Sequence, residues 1–238
     1  MQEQDILSKI EEILDSCRAT NVEYNSRINR HQERVTAICR CIAEIMELPK
    51  DRIEILDIAA RFHDYGKKIW HKEMIFRKKE KMCEYELGLI RTHAEASCCL
   101  IRNDLEAFDQ NLFNLLNEKY KDVFDIIRYH HKDYDGNGYP EGISGKDMPL
   151  EAHILRVADA YDAMRSPRLY RSNDNQMMGH KKTLYKIIAK KGKEFHPDVV
   201  RALRLVPKEN LEIHYIHVTY IDSSECEKNV IRFKYKEN

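Results

Sequence analysis

The sequence carries no excess of charge of either sign. Over 238 residues, 40 Lys and Arg balance 40 Asp and Glu. That argues against a polybasic nucleic-acid binder and against a polybasic membrane anchor. Breakers are scarce, with 8 glycines and 6 prolines, so long uninterrupted helices are expected. No apolar run approaches the length of a membrane span. The first residues, MQEQDILSKIEEIL, are acidic and amphipathic and lack the pattern of a secretory leader. The seven cysteines (Cys17, Cys39, Cys41, Cys83, Cys98, Cys99 and Cys226) are odd in number and form no C-x-x-C pair. Neither a zinc ribbon nor a disulfide framework is supported, and a reducing, cytoplasmic setting is the natural reading. What remains is 42% hydrophobic residues against 34% charged, the composition of a globular chain with surface to bury.

Helical spacing of apolar residues recurs along the chain. It predicts helices over residues 5–18, 30–48, 51–65, 84–102, 108–131, 149–164, 176–191 and 197–205. Pro49 is read as the stop of the second and Gly66 as the C-terminal cap of the third. The first of these, within an N-terminal segment 1–25, is read as a packing helix, with a homodimer contact as the alternative. Residues 136–149 break the pattern: they hold Gly136, Gly138, Gly142, Gly145, Pro140 and Pro149. Asp135-Gly136 and Asn137-Gly138 suit turns with positive φ. A shaped loop inside a helical chain is a place to look for function. The tail alternates and is rich in β-branched and aromatic residues. It predicts a β-hairpin within 207–238, with strands 211–221 and 229–236 joined by a turn at Asp222–Lys228.

The chemistry lies in polar residues on apolar helix faces. His31 extends the stripe Val35, Ile38, Ile42, Ile45. His63 follows Ala59 by four residues, with Asp64 next. His93 follows Ile90 by three, His130 and His131 follow Ile126 and Ile127 by four, and Asp159 follows Leu155 by four. An unpaired polar group costs roughly 2–7 kcal/mol to bury. One inward histidine is usually a hydrogen-bonded core residue. Five, joined by two carboxylates, point to metal. Imidazole and carboxylate without thiolate suit iron, manganese, zinc or other transition metals. The extent of the set suggests two ions.

These residues sit in recognisable motifs: HQERV around His31, FHDYGK around His63 and Asp64, RTHAEA around His93, and the long run HHKDYDGNGYPEGISGKDMPLEAHILRVADAYDAM. PRLYR and FHPDVVRAL follow. Over residues 25–206 the sequence resembles the HD-GYP subgroup of the HD-domain phosphohydrolases. The resemblance implies a mostly α, HD-domain-like helical bundle with its catalytic unit at 26–206. It also implies cyclic di-GMP phosphodiesterase activity at a metal cluster. Matched residue by residue, His31, His63, Asp64 and Asp159 would bind one metal. His93, His130 and His131 would bind the second, with Asp64 bridging. Lys67 matches a lysine that contacts the scissile phosphate. Gly138 and Tyr139 match the loop lining the substrate groove. Arg168 and Arg171 match basic positions that reach the second phosphate or a guanine.

The chain departs from the family pattern in places. Tyr65 stands where Ile is frequent, Lys132 where Glu follows the histidine pair, and Leu169 where Pro is common. Arg27 occupies the position where some members carry a Glu that holds a third metal. Two divalent ions, iron or manganese, are therefore expected. The implied reaction is hydrolysis of cyclic di-GMP to linear pGpG by a metal-bridging hydroxide, with Asp64 and Lys67 as catalytic groups. Two alternatives are a phosphohydrolase of another nucleotide or cyclic dinucleotide, and a catalytically weak adaptor that binds partners. The basic stretches 67–81 and 181–193, the latter with six lysines, are read as solvated faces, with attraction of an anionic nucleotide as the alternative. Trp70 is read as core or interface packing.

Overall fold

The structure, a computed structural model, describes residues 3–17, 22–69, 82–143, 145–166 and 178–212. Its helices are α1 (Glu3–Ser16), α2 (Val22–Ile45), α3 (Lys50–Phe62), α4 (Glu84–Arg91), α5 (His93–Phe108), α6 (Gln110–Glu118) and α7 (Asp122–Tyr129). They continue as α8 (Leu150–Arg165), α9 (His180–Ala189), α10 (Pro197–Leu205) and α11 (Lys208–Glu212). Single 3₁₀ turns cover Tyr65–Ile69 and Gly145–Asp147.

The spaced apolar residues form the centre. Val35, Ile38 and Ile42 of α2 are buried with Leu56, Ala59 and Ala60 of α3. Ile126 and Ile127 of α7 and Ile154, Leu155 and Ala158 of α8 join them. Full burial of each large aliphatic side chain contributes about 1.5–3 kcal/mol. α2 packs on α3 and α8, α7 on α3, α5 and α8, and α10 on α2 and α8. α1 lies against α5 and buries Ile10 and Leu14, the packing role read from its sequence. Ile45, expected on the inward stripe, is exposed at the end of α2. Cys39 and Cys98 are buried free thiols. No helix of the described residues is long and apolar enough to cross a membrane.

Several predicted boundaries shift. α2 ends before Pro49: Glu47 adopts φ 56°, and the Leu48 N–H closes on the Ala43 carbonyl at 3.0 Å. Pro49 instead immediately precedes α3, as Pro149 does α8, and Pro197 sits in the first turn of α10. A proline there leaves no intrahelical bond unmade.

The helix expected over 84–102 is two, broken at Thr92. Its hydroxyl bonds the Leu89 carbonyl at 2.7 Å, a local bond that competes with the helix. The helix expected over 108–131 is also two, α6 and α7. α6 is started by Asp109, whose carboxylate accepts the N–H groups of Asn111 and Leu112 at 3.0 and 3.1 Å. Nothing in the spacing marks its end, because Leu112, Leu116, Tyr120, Val123 and Ile127 keep helical register across the break.

Gly66 is not a left-handed cap. It lies in the 3₁₀ turn, where a Cβ would strike the backbone of His93 and Ser97 in α5. Its N–H donates to Ser97 Oγ at 2.7 Å. The absent side chain thus lets the turn after α3 press onto α5. The predicted β-hairpin, Arg168, Arg171 and Trp70 lie outside the described residues. Leu211 and Glu212, assigned to its first strand, are the end of α11. Among the described residues the only β pairing is two isolated bridges, Lys132 with Gly138 and Lys191 with Phe195. The lysines of 181–193 are exposed, as read.

Candidate metal centre

A helix leaves its last carbonyls without intrahelical partners. Three histidines use such carbonyls. His63 directly follows α3, and its Nδ1 lies 2.8 Å from the Ala60 carbonyl. His93 sits at the α4–α5 break, with Nδ1 2.7 Å from the Ile90 carbonyl. His130 follows α7, with Nδ1 2.6 Å from the Ile127 carbonyl. The sequence sets His63 and His130 near the ends of helices over 51–65 and 108–131, as the structure has them, whereas His93, expected inside a helix over 84–102, lies at a break between two. The same three-residue step recurs each time. A carbonyl accepts only, so each Nδ1 carries the proton and each Nε2 presents a lone pair.

Those lone pairs converge. His93 Nε2 is 3.3 Å from His130 Nε2 and 3.1 Å from His131 Nε2. It is also 3.3 Å from Asp64 Oδ1. His63 Nε2 is 3.6 Å, and His31 Nε2 3.7 Å, from Asp64 Oδ2. The two oxygens of Asp64 thus face different histidine groups. His63 Nε2 and Asp64 Oδ1 are buried with no hydrogen-bond partner. Lys67, in the 3₁₀ turn, sets its ammonium on Asp64 Oδ2.

His31 differs from the other histidines. It lies inside α2, where neighbouring carbonyls are engaged. Its Nδ1 meets Asp162 Oδ2 at 2.6 Å, and its Nε2 meets Asp159 Oδ1 at 3.2 Å. Asp159 and Asp162 are one turn apart on α8. Asp162, in contact with His31, is the residue of this cluster that sequence reasoning missed. The signal was there: it follows Asp159 by three, on the same helix face.

Burial sets the protonation of the group. It drives His93 down to about 4, helped by the Lys67 charge. It also lowers His63, His130 and His131, so all four imidazoles are neutral near pH 7. Burial works against the Asp64 carboxylate, but the Lys67 charge, with that of His31, outweighs it and holds its pKa well below the usual range. Asp159 stays ionised in the same way, through His31. His31 is pushed up to about 9, because its bonds to Asp159 and Asp162 outweigh burial.

Unprotonated nitrogens and carboxylate oxygens therefore crowd one point with no proton between many of them. Lys67 and His31 offset the carboxylates, but the bare nitrogens of His93, His130 and His131 face one another at 3.1–3.3 Å, an arrangement that a cation would relieve. Donors about 2.1 Å from an ion lie about 3.0–3.4 Å from one another in octahedral or tetrahedral geometry. The observed 3.1–3.3 Å spacings fit that. Two donor triads can each hold an ion: His31, His63 and Asp64, and His93, His130 and His131. The orphaned atoms belong to this set.

The HD domain family model matches residues 19–199. The chain belongs to the HD domain family. Its HD-GYP membership, expected from the motifs, stands on the relatives as well. The chain is 30% identical over 208 residues to the cyclic di-GMP phosphodiesterase response regulator RpfG of Xanthomonas campestris. That match covers 84% of this chain and 51% of the relative. It is 27% identical over 188 residues to a 3'3'-cGAMP-specific phosphodiesterase of Vibrio cholerae, covering 78% of this chain and 33% of that one. The chain thus spans about half the length, or less, of these relatives. A solved HDG"Y"P protein from Bdellovibrio bacteriovorus, Bd1817, shares the fold at TM-score 0.55 and 18% identity. That comparison covers 84% of this chain and 60% of the other. HD domains depend on divalent metal, and the donor groups of this chain are able to hold it.

The HD-domain loop after His131 wraps back onto that histidine. The Tyr139 N–H donates to the His131 carbonyl at 3.3 Å, and the Tyr139 ring lies 4.8 Å from the His131 ring. Gly136 and Gly138 take the expected positive φ, 91° and 79°. At Gly138 a Cβ would also strike the His131 carbonyl. Outside the loop, Tyr134 N–H bonds the Glu194 carbonyl at 3.2 Å, and Arg156 of α8 bonds Asp133 at 2.7 Å. Gly138→Ala is therefore expected to displace His131 and weaken cation binding at His93, His130 and His131 by about 10–100-fold, the scale of a lost orienting contact. A manganese titration checks this, and an unaltered curve contradicts it.

Proposed function

We propose that this chain is a metal-dependent phosphodiesterase that hydrolyses cyclic di-GMP to linear pGpG. The observation that carries the reading is the Asp64 carboxylate, with one oxygen toward His93 and the other toward His31 and His63. A carboxylate so set between two imidazole groups suits a pair of cations, with His31, His63, Asp64 and Asp159 around one and His93, His130 and His131 around the other. The donor set, without thiolate, favours iron or manganese. When bound, two such ions supply Lewis acidity and a nucleophilic water at neutral pH.

The chain's own residues do the rest. The helix-end carbonyls keep the Nδ1 protons in place and the Nε2 lone pairs inward. Asp64 remains an anion and fixes the distance between the two donor groups. The Lys67 ammonium, beside Asp64, stabilises charge on the non-bridging oxygens of the scissile phosphate. Water adds to phosphorus, the bond to the 3′ oxygen breaks, and that oxygen takes a proton. Tyr139 and Gly138 line the groove. Burial pushes the Tyr139 hydroxyl pKa up, so it stays a donor. Arg168 and Arg171 are the groups proposed for the distal phosphate or guanine. Residues 26–206 are taken as the catalytic unit, acting in the cytoplasm.

The test is purified protein with manganese, or with iron under anaerobic conditions, incubated with cyclic di-GMP. Linear pGpG is the expected product, and intact substrate under every metal condition overturns the reading. A second reading is favoured by the 3'3'-cGAMP-specific relative: a different cyclic dinucleotide as substrate. Equal concentrations of cyclic di-GMP and 3'3'-cGAMP in one assay separate the two.

A further inference from the structure

His63, His93 and His130 are each oriented by a neutral carbonyl of the preceding helix end. His31 has no such carbonyl, because it sits in the middle of α2. Its Nδ1 instead meets a carboxylate from another helix, Asp162 of α8, at 2.6 Å. Asp162 is fully buried. Arg34, one turn after His31, donates Nε to its Oδ1 at 2.6 Å and Nη2 to its Oδ2 at 3.1 Å. Ser166 adds its hydroxyl to Oδ2 at 3.0 Å, and Arg34 Nη2 donates to the Ser166 oxygen at 2.9 Å. An ionised carboxylate at such depth needs this compensation. It is held in one place from both sides, with His31 as its third partner.

We infer that Asp162, locked by Arg34 and Ser166, is the positioning residue that fixes the His31 ring with Nε2 turned to Asp64 and Asp159. This inference rests on the proposed metal reading of the same site. A carboxylate behind a ligating imidazole fixes its tautomer and raises its basicity, which a neutral carbonyl does less strongly. Of the four histidines whose Nδ1 partner is given, His63, His93 and His130 owe it to a helix end and His31 to a side chain. Disturbing Asp162 therefore acts on one of the two donor groups and leaves the other, built on the ends of α4 and α7, in place.

Asp162→Asn keeps the shape of the side chain and removes the charge. In wild type, manganese titration with metal analysis is expected to give two ions, with the electron paramagnetic resonance signal of a coupled pair. In Asp162→Asn, one ion should bind within about threefold of wild type. The other should bind about 10–100-fold more weakly, and the coupled signal should give way to that of a single ion. Arg34→Gln keeps the carboxylate and its bond to His31 while loosening the lock. It should weaken the same ion several-fold, and it answers the question if Asp162→Asn does not fold. A merely structural role would weaken both ions alike. Equal loss of both, or two ions bound as in wild type by folded variants, overturns the inference while the metal reading stands. Wild-type protein that binds no pair of ions overturns both.

Discussion

Asp64→Asn is expected to abolish turnover while leaving the helical content intact. The effect should exceed that of removing one preorganised electrostatic group, which is about 10²–10³-fold, because Asp64 faces both donor groups at once. Its Oδ1 lies 3.3 Å from His93 Nε2 and its Oδ2 3.6 Å from His63 Nε2. The amide retains size but loses the anion that offsets two cations, and its NH₂ end presents protons where lone pairs already converge. Bound manganese should fall from two ions to one or none. Circular dichroism and a thermal melt establish that the variant is folded, and metal analysis and product formation give the result. Activity within tenfold of wild type would mean that Asp64 is an internal ion-pair partner for Lys67 and nothing more.

The second large effect is on stability as pH changes. In metal-free protein His93 titrates at about 4 rather than 6.5. On lowering the pH through 6.5, the unfolded chain takes up the proton first. The stability present above 6.5 is then lost toward pH 4, by about 3 kcal/mol for this residue at ~1.4 kcal/mol per pH unit. His63, His130 and His131 are lowered by burial and act in the same direction. His31 has the opposite sign, raised from 6.5 to about 9 by its two carboxylate partners. Its contribution is full below 6.5 and is lost as pH rises toward 9, again by about 3 kcal/mol.

Metal-free protein should therefore be most stable near pH 6.5, with losses on both sides. Metal binding requires unprotonated imidazole, so manganese should remove the alkaline loss and steepen the acid one. Urea midpoints between pH 4 and 9, in chelator and in manganese, check both limbs. A flat acid limb, or an alkaline limb that manganese leaves unchanged, would contradict this assignment of protons.

Much of this arrangement was legible in the sequence because burial writes itself into spacing. Val35, Ile38 and Ile42, or Ile154, Leu155 and Ala158, repeat at helical period, and all are buried. The positive φ of Gly136 and Gly138 could be read from Asp-Gly and Asn-Gly. The helix ends were hidden because they depend on partners distant in sequence or on small local bonds. Thr92 breaks α4 from α5 through one hydroxyl, and the α6–α7 break keeps the apolar register.

For the same reason His93 read as a residue inside one helix over 84–102, when it lies at the α4–α5 break with its Nδ1 on the Ile90 carbonyl; His63 and His130 could be read near helix ends, but not the carbonyls that orient them. Gly66 read as a cap because chain position is visible in sequence and the close approach of α5 is not. Asp162 shares the inward face of Asp159, but its partners Arg34 and His31 come from α2, far off in sequence, and spacing along α8 does not show them.

The central claim is that separate helix ends aim their histidines at a pair of cations shared by Asp64. Anomalous diffraction from crystals grown with manganese tests it most directly. The account predicts two peaks, one among His31, His63, Asp64 and Asp159 and the other among His93, His130 and His131, with Asp64 touching both. A single peak remote from Asp64, or histidines bonded to one another through water with no peak between them, would contradict it.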